Sequence, residues 1–224
     1  MRQHLLIDGD DTLWENNIYF ERTIAAFIAF LAHSTLTPEE VRHVINEMER
    51  MHGYGTENFA RSLEATYRRL VEREVSAEDI ARVHAFAQDI RQHPIEILPG
   101  VEATLAHLAP RHDLVLVTKG DPDEQRLKIE ASGLEPYFRR AEIVPEKNVD
   151  TYLRLVEELA LDPETTWMIG NSPRSDINPA LAAGIHAVFV PHPHTWVLEH
   201  EELQPVDGRR LLTLERFADL REYF

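Results

Sequence analysis

Residues 4–12 read His4-Leu5-Leu6-Ile7-Asp8-Gly9-Asp10-Asp11-Thr12, an apolar run that stops abruptly at a knot of acids. Such a run predicts a buried parallel strand that delivers polar side chains at its C-terminal end. The next block, from about Glu15 to His93, reads as helix only. Ile18, Phe20, Ile24, Phe27, Ile28 and Leu31 fall near a 3.6-residue period. Thr37-Pro38-Glu39-Glu40 and Ser76-Ala77-Glu78-Asp79 are helix starts, each with a hydroxyl cap followed by acids. His52-Gly53-Tyr54-Gly55 interrupts the block, and four helices with no strand are expected.

After Pro94 and Pro99-Gly100 the pattern alternates between helix-like and strand-like runs. Strands are predicted around 113–118, 142–144, 167–169 and 186–190, with helices around 101–108, 123–132, 151–159 and 179–183. Alternation of this kind implies a parallel sheet covered on both faces. The helical block is then an insertion placed straight after the first strand. The expected domains are 1–14 with 94–224 as an α/β core, and 15–93 as the helical insertion.

The chain has 224 residues, 23 Lys+Arg against 39 Asp+Glu, a formal net charge of −16 and no Cys. A disulfide framework, a thiolate metal site and a cysteine nucleophile are excluded. So acidic a chain is a poor partner for nucleic acid, which needs clustered Lys and Arg. No run of about 18 uncharged apolar residues is present, so no membrane helix is expected. The first strand begins at residue 4, which leaves no room for a secretory signal. A cytoplasmic protein, monomer or homodimer, is the expectation.

In an open α/β sheet, ligands bind beyond the C-terminal strand ends. The predicted strand ends carry Asp8 and Asp10, then Thr118-Lys119-Gly120-Asp121, then Lys147, then Gly170-Asn171-Ser172 with Ser175-Asp176. Two carboxylates two residues apart, a hydroxyl, a lysine and a further acid are the groups that hold Mg²⁺ and a phosphoryl group together. A carboxylate can be phosphorylated at an acyl oxygen and released by water. A second carboxylate can protonate the leaving alcohol and later activate that water. Mg²⁺ prefers hard oxygens and cancels the repulsion between nucleophile and phosphate.

These residues resemble the motifs of the haloacid dehalogenase superfamily. Its first motif, a strand followed by DxDxT, matches Asp8-Gly9-Asp10-Asp11-Thr12. Its second and third match Thr118 and Lys147, and its fourth, GDxxxxD, approximates Gly170 to Asp176. The resemblance covers nearly the whole chain and implies a Rossmann-like three-layer α/β/α core with an all-helical cap of the first subclass. It makes Asp8 the nucleophile, Asp10 the general acid/base, and Thr118 and Lys147 the phosphate binders. Asp8, the carbonyl of Asp10 and the fourth motif (Asn171, Asp176) would hold Mg²⁺.

Lys119 and Arg174 lie beside the site in sequence as further candidates for neutralising phosphate, and Tyr54 is a candidate substrate contact from the insertion. Asp11 stands where glycine is most common in the family, and is read either as supporting the site or as capping the loop. Asn171 stands where an aspartate usually binds the metal; metal binding is expected to survive with one charge fewer. His192, His194 and His200 lack the spacing of a zinc site.

The expected function is Mg²⁺-dependent hydrolysis of a small phosphorylated metabolite. A phosphomutase, a metal-independent 2-haloacid dehalogenase and a catalytically degenerate binding protein are the alternatives. The dehalogenases need no second acid, so Asp10 argues against them. A phosphonate-cleaving enzyme would need a lysine in the insertion, and residues 15–93 contain none.

Overall fold

The computed structural model describes residues 2–224, and the chain divides into two compact units. One comprises the chain up to Asn17 together with Ile95–Phe224, and the other is Ile18–Pro94. The first unit opens with β1 (His4–Ile7). The helical unit holds nearly all of α1 (Asn17–Leu31), with α2 (Pro38–His52), α3 (Thr56–Leu70) and α4 (Ala77–Arg91). The first unit then resumes with α5 (Val101–Leu108), β2 (Asp113–Lys119), α6 (Pro122–Ser132), β3 (Arg140–Val144) and α7 (Val149–Glu158). It ends with β4 (Thr166–Gly170), α8 (Asn178–Ala182), β5 (His186–Phe189) and β6 (Leu211–Thr213).

The six strands form one sheet in the order β3-β2-β1-β4-β5-β6, and every pairing is parallel. Alternate residues of each strand face opposite layers. Leu5 and Ile7 point one way with Leu114, Leu116 and Ile169, and pack against Val101, Leu105 and Leu108 of α5 and Ile129 of α6. Leu6, Val115, Val117 and Met168 point the other way, against Tyr152 and Leu155 of α7 and Ala180 of α8. Chain order reverses at β1, which pairs with β2 on one side and β4 on the other. That reversal opens a crevice at the C-terminal ends of β1 and β4.

The helical unit starts three residues later and ends one residue later than the 15–93 expected from the sequence. Glu15 donates its N–H to the Glu96 carbonyl (2.9 Å) and Leu98 donates to Leu13 (2.9 Å), so both linkers begin as paired backbone of the sheet unit. Several element ends also shift. Pro122 starts α6 because Asp121 caps it, accepting from the N–H groups of Asp123 and Glu124. Asn148 caps α7 and brings its start to Val149. A π-helical turn, Pro173–Ile177, precedes α8, so the helical path expected to open at Ser175-Asp176 begins at Pro173. β6 is a strand that the sequence pattern does not announce.

The helical unit has its own core of Ile24, Phe27, Val41, Ile45, Phe59, Leu63, Tyr67 and Val83. Both expected N-terminal boxes form, Thr37 with Glu40 on α2 and Ser76 with Asp79 on α4, each satisfying two otherwise orphaned N–H groups. No described helix is long and apolar enough to cross a membrane.

Candidate active site

Asp8 follows the last residue of β1, and its N–H continues the ladder to Ile169 (2.9 Å). Its side chain is buried and meets the equally buried Lys147, whose Nζ donates to Asp8 Oδ1 and to Asp176 Oδ1 (2.7 Å). Thr12 donates its hydroxyl to Asp8 Oδ2 (2.9 Å). The second oxygen of Asp176 accepts the Ser172 N–H (2.9 Å). Asp176 lies directly across Gly170, where a Cβ would sit 2.2 Å from Asp176 Oδ2, so only glycine fits the last position of β4.

One ammonium therefore serves two buried carboxylates. Burial raises the Asp8 carboxyl to about 7, with Lys147 opposing that shift and Asp176 adding to it. Burial also works against the charge of Lys147, but Asp176 and Asp8 together hold its pKa above the ordinary lysine value. The cluster is one positive charge short of neutrality. With Asp8, Asp176 and the Asn171 amide oxygen it offers hard oxygen donors and excess negative charge, which fits a small divalent cation. Those residues and the Asp10 carbonyl would hold it.

Asp10 is directed elsewhere. Its Oδ1 accepts from Trp14 Nε1 (2.7 Å) and Lys128 Nζ (3.0 Å), and its Oδ2 from Gln125 Nε2 (3.0 Å) and Lys128 Nζ (2.9 Å). Burial alone would push Asp10 upward, but the charge of Lys128 and the three donors bring it below the ordinary carboxylate value. The turn that arranges this depends on Gly9, because a Cβ there would come within 2.7 Å of the buried Trp14 ring. Thr118, at the end of β2, is buried and donates its hydroxyl to Gln125 Oε1 (2.9 Å).

Asp11 has φ +59°, a left-handed conformation that favours glycine but that Asp tolerates. Its Oδ1 accepts the backbone N–H groups of Asn16 (2.9 Å) and Asn17 (3.1 Å). The loop-capping reading thus describes what its side chain does. Burial, then the neighbouring Asp10, push its carboxyl up to about 7.

Asn171 Nδ2 donates to Thr195 Oγ1 (2.9 Å), and Thr195 donates its own hydroxyl proton to the His192 carbonyl (3.0 Å). A threonine hydroxyl has one proton. With that proton already donated, Thr195 can only accept from residue 171, and an amide meets the demand where a carboxylate does not.

Lys119 differs from its expected place against the phosphate. Its Nζ donates to Glu199 Oε1 (2.6 Å) and Ser175 Oγ (2.7 Å), so its charge is held by a buried carboxylate. Arg174 is exposed and donates to the Leu198 carbonyl (2.9 Å). Tyr54 lies in the helical unit between α2 and α3, and its carbonyl accepts from Asn58 Nδ2 (2.8 Å).

Glu199, Gln125 and Lys128 are groups of this region that the strand-end argument missed. Glu199 also accepts from Ser172 Oγ (2.6 Å) and ties the 195–200 segment to the fourth motif. The available signal for Gln125 and Lys128 was their spacing of three on one helix face.

The three histidines do not converge. His192 lies 3.7 Å from Asp11 Oδ1 and 3.3 Å from Glu15 Oε2, forming a small acid–histidine group, whereas His200 Nε2 meets the Thr195 carbonyl (3.1 Å).

Residues 3–184 match the haloacid dehalogenase-like hydrolase family. The chain belongs to that family. A haloacid dehalogenase-like family hydrolase from Xanthomonas campestris is 32% identical, with a TM-score of 0.85 over 99% of this chain and 94% of that one. A phosphoserine phosphatase from Thermus thermophilus is 32% identical over 169 residues, 72% of this chain. The match spans 63% of that relative, less than two thirds of its length. The L-2-haloacid dehalogenase of Xanthobacter autotrophicus shares the fold at 17% identity, with a TM-score of 0.67 over 99% of this chain and 98% of that one.

Proposed function

We propose that this hydrolase is a Mg²⁺-dependent phosphatase acting on a small phosphorylated metabolite through an aspartyl-phosphate on Asp8. The observation that carries the reading is the pair of acids on one turn with opposite surroundings. Asp8 sits with Lys147 and Asp176 at the end of β1, and Asp10 sits two residues on with its own donors. The place of Asp8 against the cluster that would hold cation and phosphate suits a nucleophile, and Asp10, joined through Gln125 to Thr118, suits an acid/base on the same turn. The phosphoserine phosphatase relative supports the same chemistry. A haloacid dehalogenation would leave Asp10 and its three partners without a task.

In this reading an Asp8 oxygen attacks phosphorus while the bond to the leaving oxygen breaks, and Asp10, once it has released one of its donors and taken up a proton from solvent, supplies the proton that oxygen takes up. Asp10 then removes a proton from water, which attacks the same phosphorus and releases inorganic phosphate and the Asp8 carboxylate. Lys147 and Thr118 donate to phosphoryl oxygens as charge redistributes. Mg²⁺, when bound, supplies the charge that lets an anionic nucleophile meet an anionic phosphate. The helical unit serves as the cap that selects the substrate, with O-phosphoserine the first compound to try.

The test is release of inorganic phosphate from 4-nitrophenyl phosphate and O-phosphoserine with Mg²⁺, with EDTA, and in Asp8→Asn. Metal-dependent release that vanishes in the variant is expected. Release that persists in Asp8→Asn, or no release from any phosphate monoester, refutes the proposal.

A further inference from the structure

The acid/base role of Asp10 rests on the reading above, and the structure says more about how that residue is held. A carboxylate offers about four lone-pair sites. With no substrate bound, Trp14, Gln125 and the two contacts from Lys128 fill all four, so one of them must open before Asp10 takes up or gives a proton. Lys128 in turn has three N–H groups, and its contacts are the two Asp10 oxygens and Asn16 Oδ1 (2.8 Å). No donor is left over for solvent, which is unlike an ordinary surface lysine.

Gln125 faces both ways. Its amide nitrogen holds Asp10, and its amide oxygen accepts the Thr118 hydroxyl. The helix bearing both residues is fixed directly after Thr118-Lys119-Gly120 by the Asp121 cap, so their register against Asp10 is set by β2. The composition adds a separate observation. The chain contains three lysines, at 119, 128 and 147, and every other basic residue outside its histidines is arginine. A compact ammonium is thus kept for positions at this crevice.

We propose that Gln125 and Lys128 are positioning residues for Asp10, and that Gln125 couples Asp10 to the phosphoryl-binding Thr118. The Thr118 hydroxyl has one proton. A phosphoryl oxygen that takes it leaves Gln125 Oε1 without its donor, so filling the phosphate position is felt at Asp10 through a single amide. Lys128 fixes the carboxylate against repulsion from Asp8 and Asp11. Displacement of a catalytic group by about 1 Å costs on the order of 100-fold in rate.

The experiment compares 4-nitrophenyl phosphate, whose phenolate departs without a proton, with phenyl phosphate, whose departure is helped by one. Wild type, Lys128→Met, Lys128→Arg, Gln125→Ala, Asp10→Asn and Asp10→Asn/Lys128→Met are measured with Mg²⁺. Lys128→Met is expected to lose about tenfold more kcat on phenyl phosphate than on 4-nitrophenyl phosphate, with KM shifted less than about threefold. Lys128→Arg recovers part of that selective loss, and Gln125→Ala shows it in weaker form. In the Asp10→Asn background the lysine substitution adds no further selectivity, because its effect runs through Asp10.

Equal loss on both esters, or the same selective loss when Asp10 is already gone, overturns the proposal. If Lys128→Met does not melt cooperatively, Gln125→Ala carries the same comparison and the same refuting outcome. A wild type that releases phosphate, an Asp8→Asn that does not, and an unchanged leaving-group ratio in Lys128→Met refute this inference alone. A wild type inactive on both esters refutes the phosphatase reading and this inference with it.

Discussion

Replacing Lys147, a residue only 3% exposed, by Met removes its ammonium and leaves its aliphatic stem nearly intact. Asp8 and Asp176 then face one another in a buried site with no cation between them. Removing one partner of a buried ion pair costs about 3–5 kcal/mol, because the remaining charge is stranded. At about 2–4 °C per kcal/mol for a chain of this size, the melting temperature should fall by about 6–20 °C in chelator at pH 8. The sign with pH follows from Asp8, whose carboxyl is already raised by burial and rises further once Lys147 no longer opposes it. A raised carboxyl costs stability as pH climbs past its unfolded value, so the deficit should be smaller at pH 5 than at pH 8. Mg²⁺ should restore more of the loss in the variant than it adds to wild type, and Asp8→Asn/Lys147→Met should recover stability by removing one of the two charges. Melting curves at both pH values, with and without Mg²⁺, read all of this. A fall under about 2 °C in chelator at pH 8 would refute the charge argument, as would an equal fall at pH 5.

Asp11, raised to about 7 by burial and Asp10, should cost stability between about pH 4 and pH 7, so Asp11→Asn should gain on wild type by up to about 4 kcal/mol over that range. A difference in melting temperature that stays constant from pH 4 to pH 8 would contradict this. Gly170→Ala puts a Cβ 2.2 Å from Asp176 Oδ2 and should displace that carboxylate from Lys147 and the Ser172 N–H, costing about 1–3 kcal/mol and much of the Mg²⁺ affinity. Wild-type Mg²⁺ affinity by calorimetry would show that Asp176 is free to move. Asn171→Asp should destabilise the metal-free protein by about 1–3 kcal/mol, because Thr195 must abandon the His192 carbonyl to meet it, and should bind Mg²⁺ more tightly. Unchanged stability in chelator would mean that Thr195 turns without cost.

The sheet was legible because strand ends are written in the backbone pattern. His4 to Ile7 is apolar and Asp8 is not, and the parallel register with β4 places Asp8 beside Gly170 without reference to any side chain. The same logic reached Thr118 and Lys147. It did not reach β6, which pairs only Leu211–Thr213 and follows a long irregular stretch. Helix starts slipped where a cap lay one residue outside the apolar pattern, as at Asp121 and Asn148.

The residues that escaped are those whose role depends on which partner a polar group finds. Gln125, Lys128 and Glu199 look in sequence like a solvated helix face and a loop acid. They differ from other such residues only because a buried oxygen or ammonium lies within reach. Lys119 shows the converse, since proximity to the site in sequence suggested phosphate and Glu199 holds the charge instead. The lysines resolve how a chain of net charge −16 can serve an anionic ester. Each of the three meets at least one carboxylate: Lys147 meets Asp8 and Asp176, Lys128 meets Asp10, and Lys119 meets Glu199. The cations are thus balanced within the protein, and the excess charge of the crevice remains negative. Screening of distant surface acids by salt does not alter that local balance. In the proposed reaction the phosphate therefore depends on the divalent cation for its approach, and loss of metal should weaken substrate binding as well as turnover.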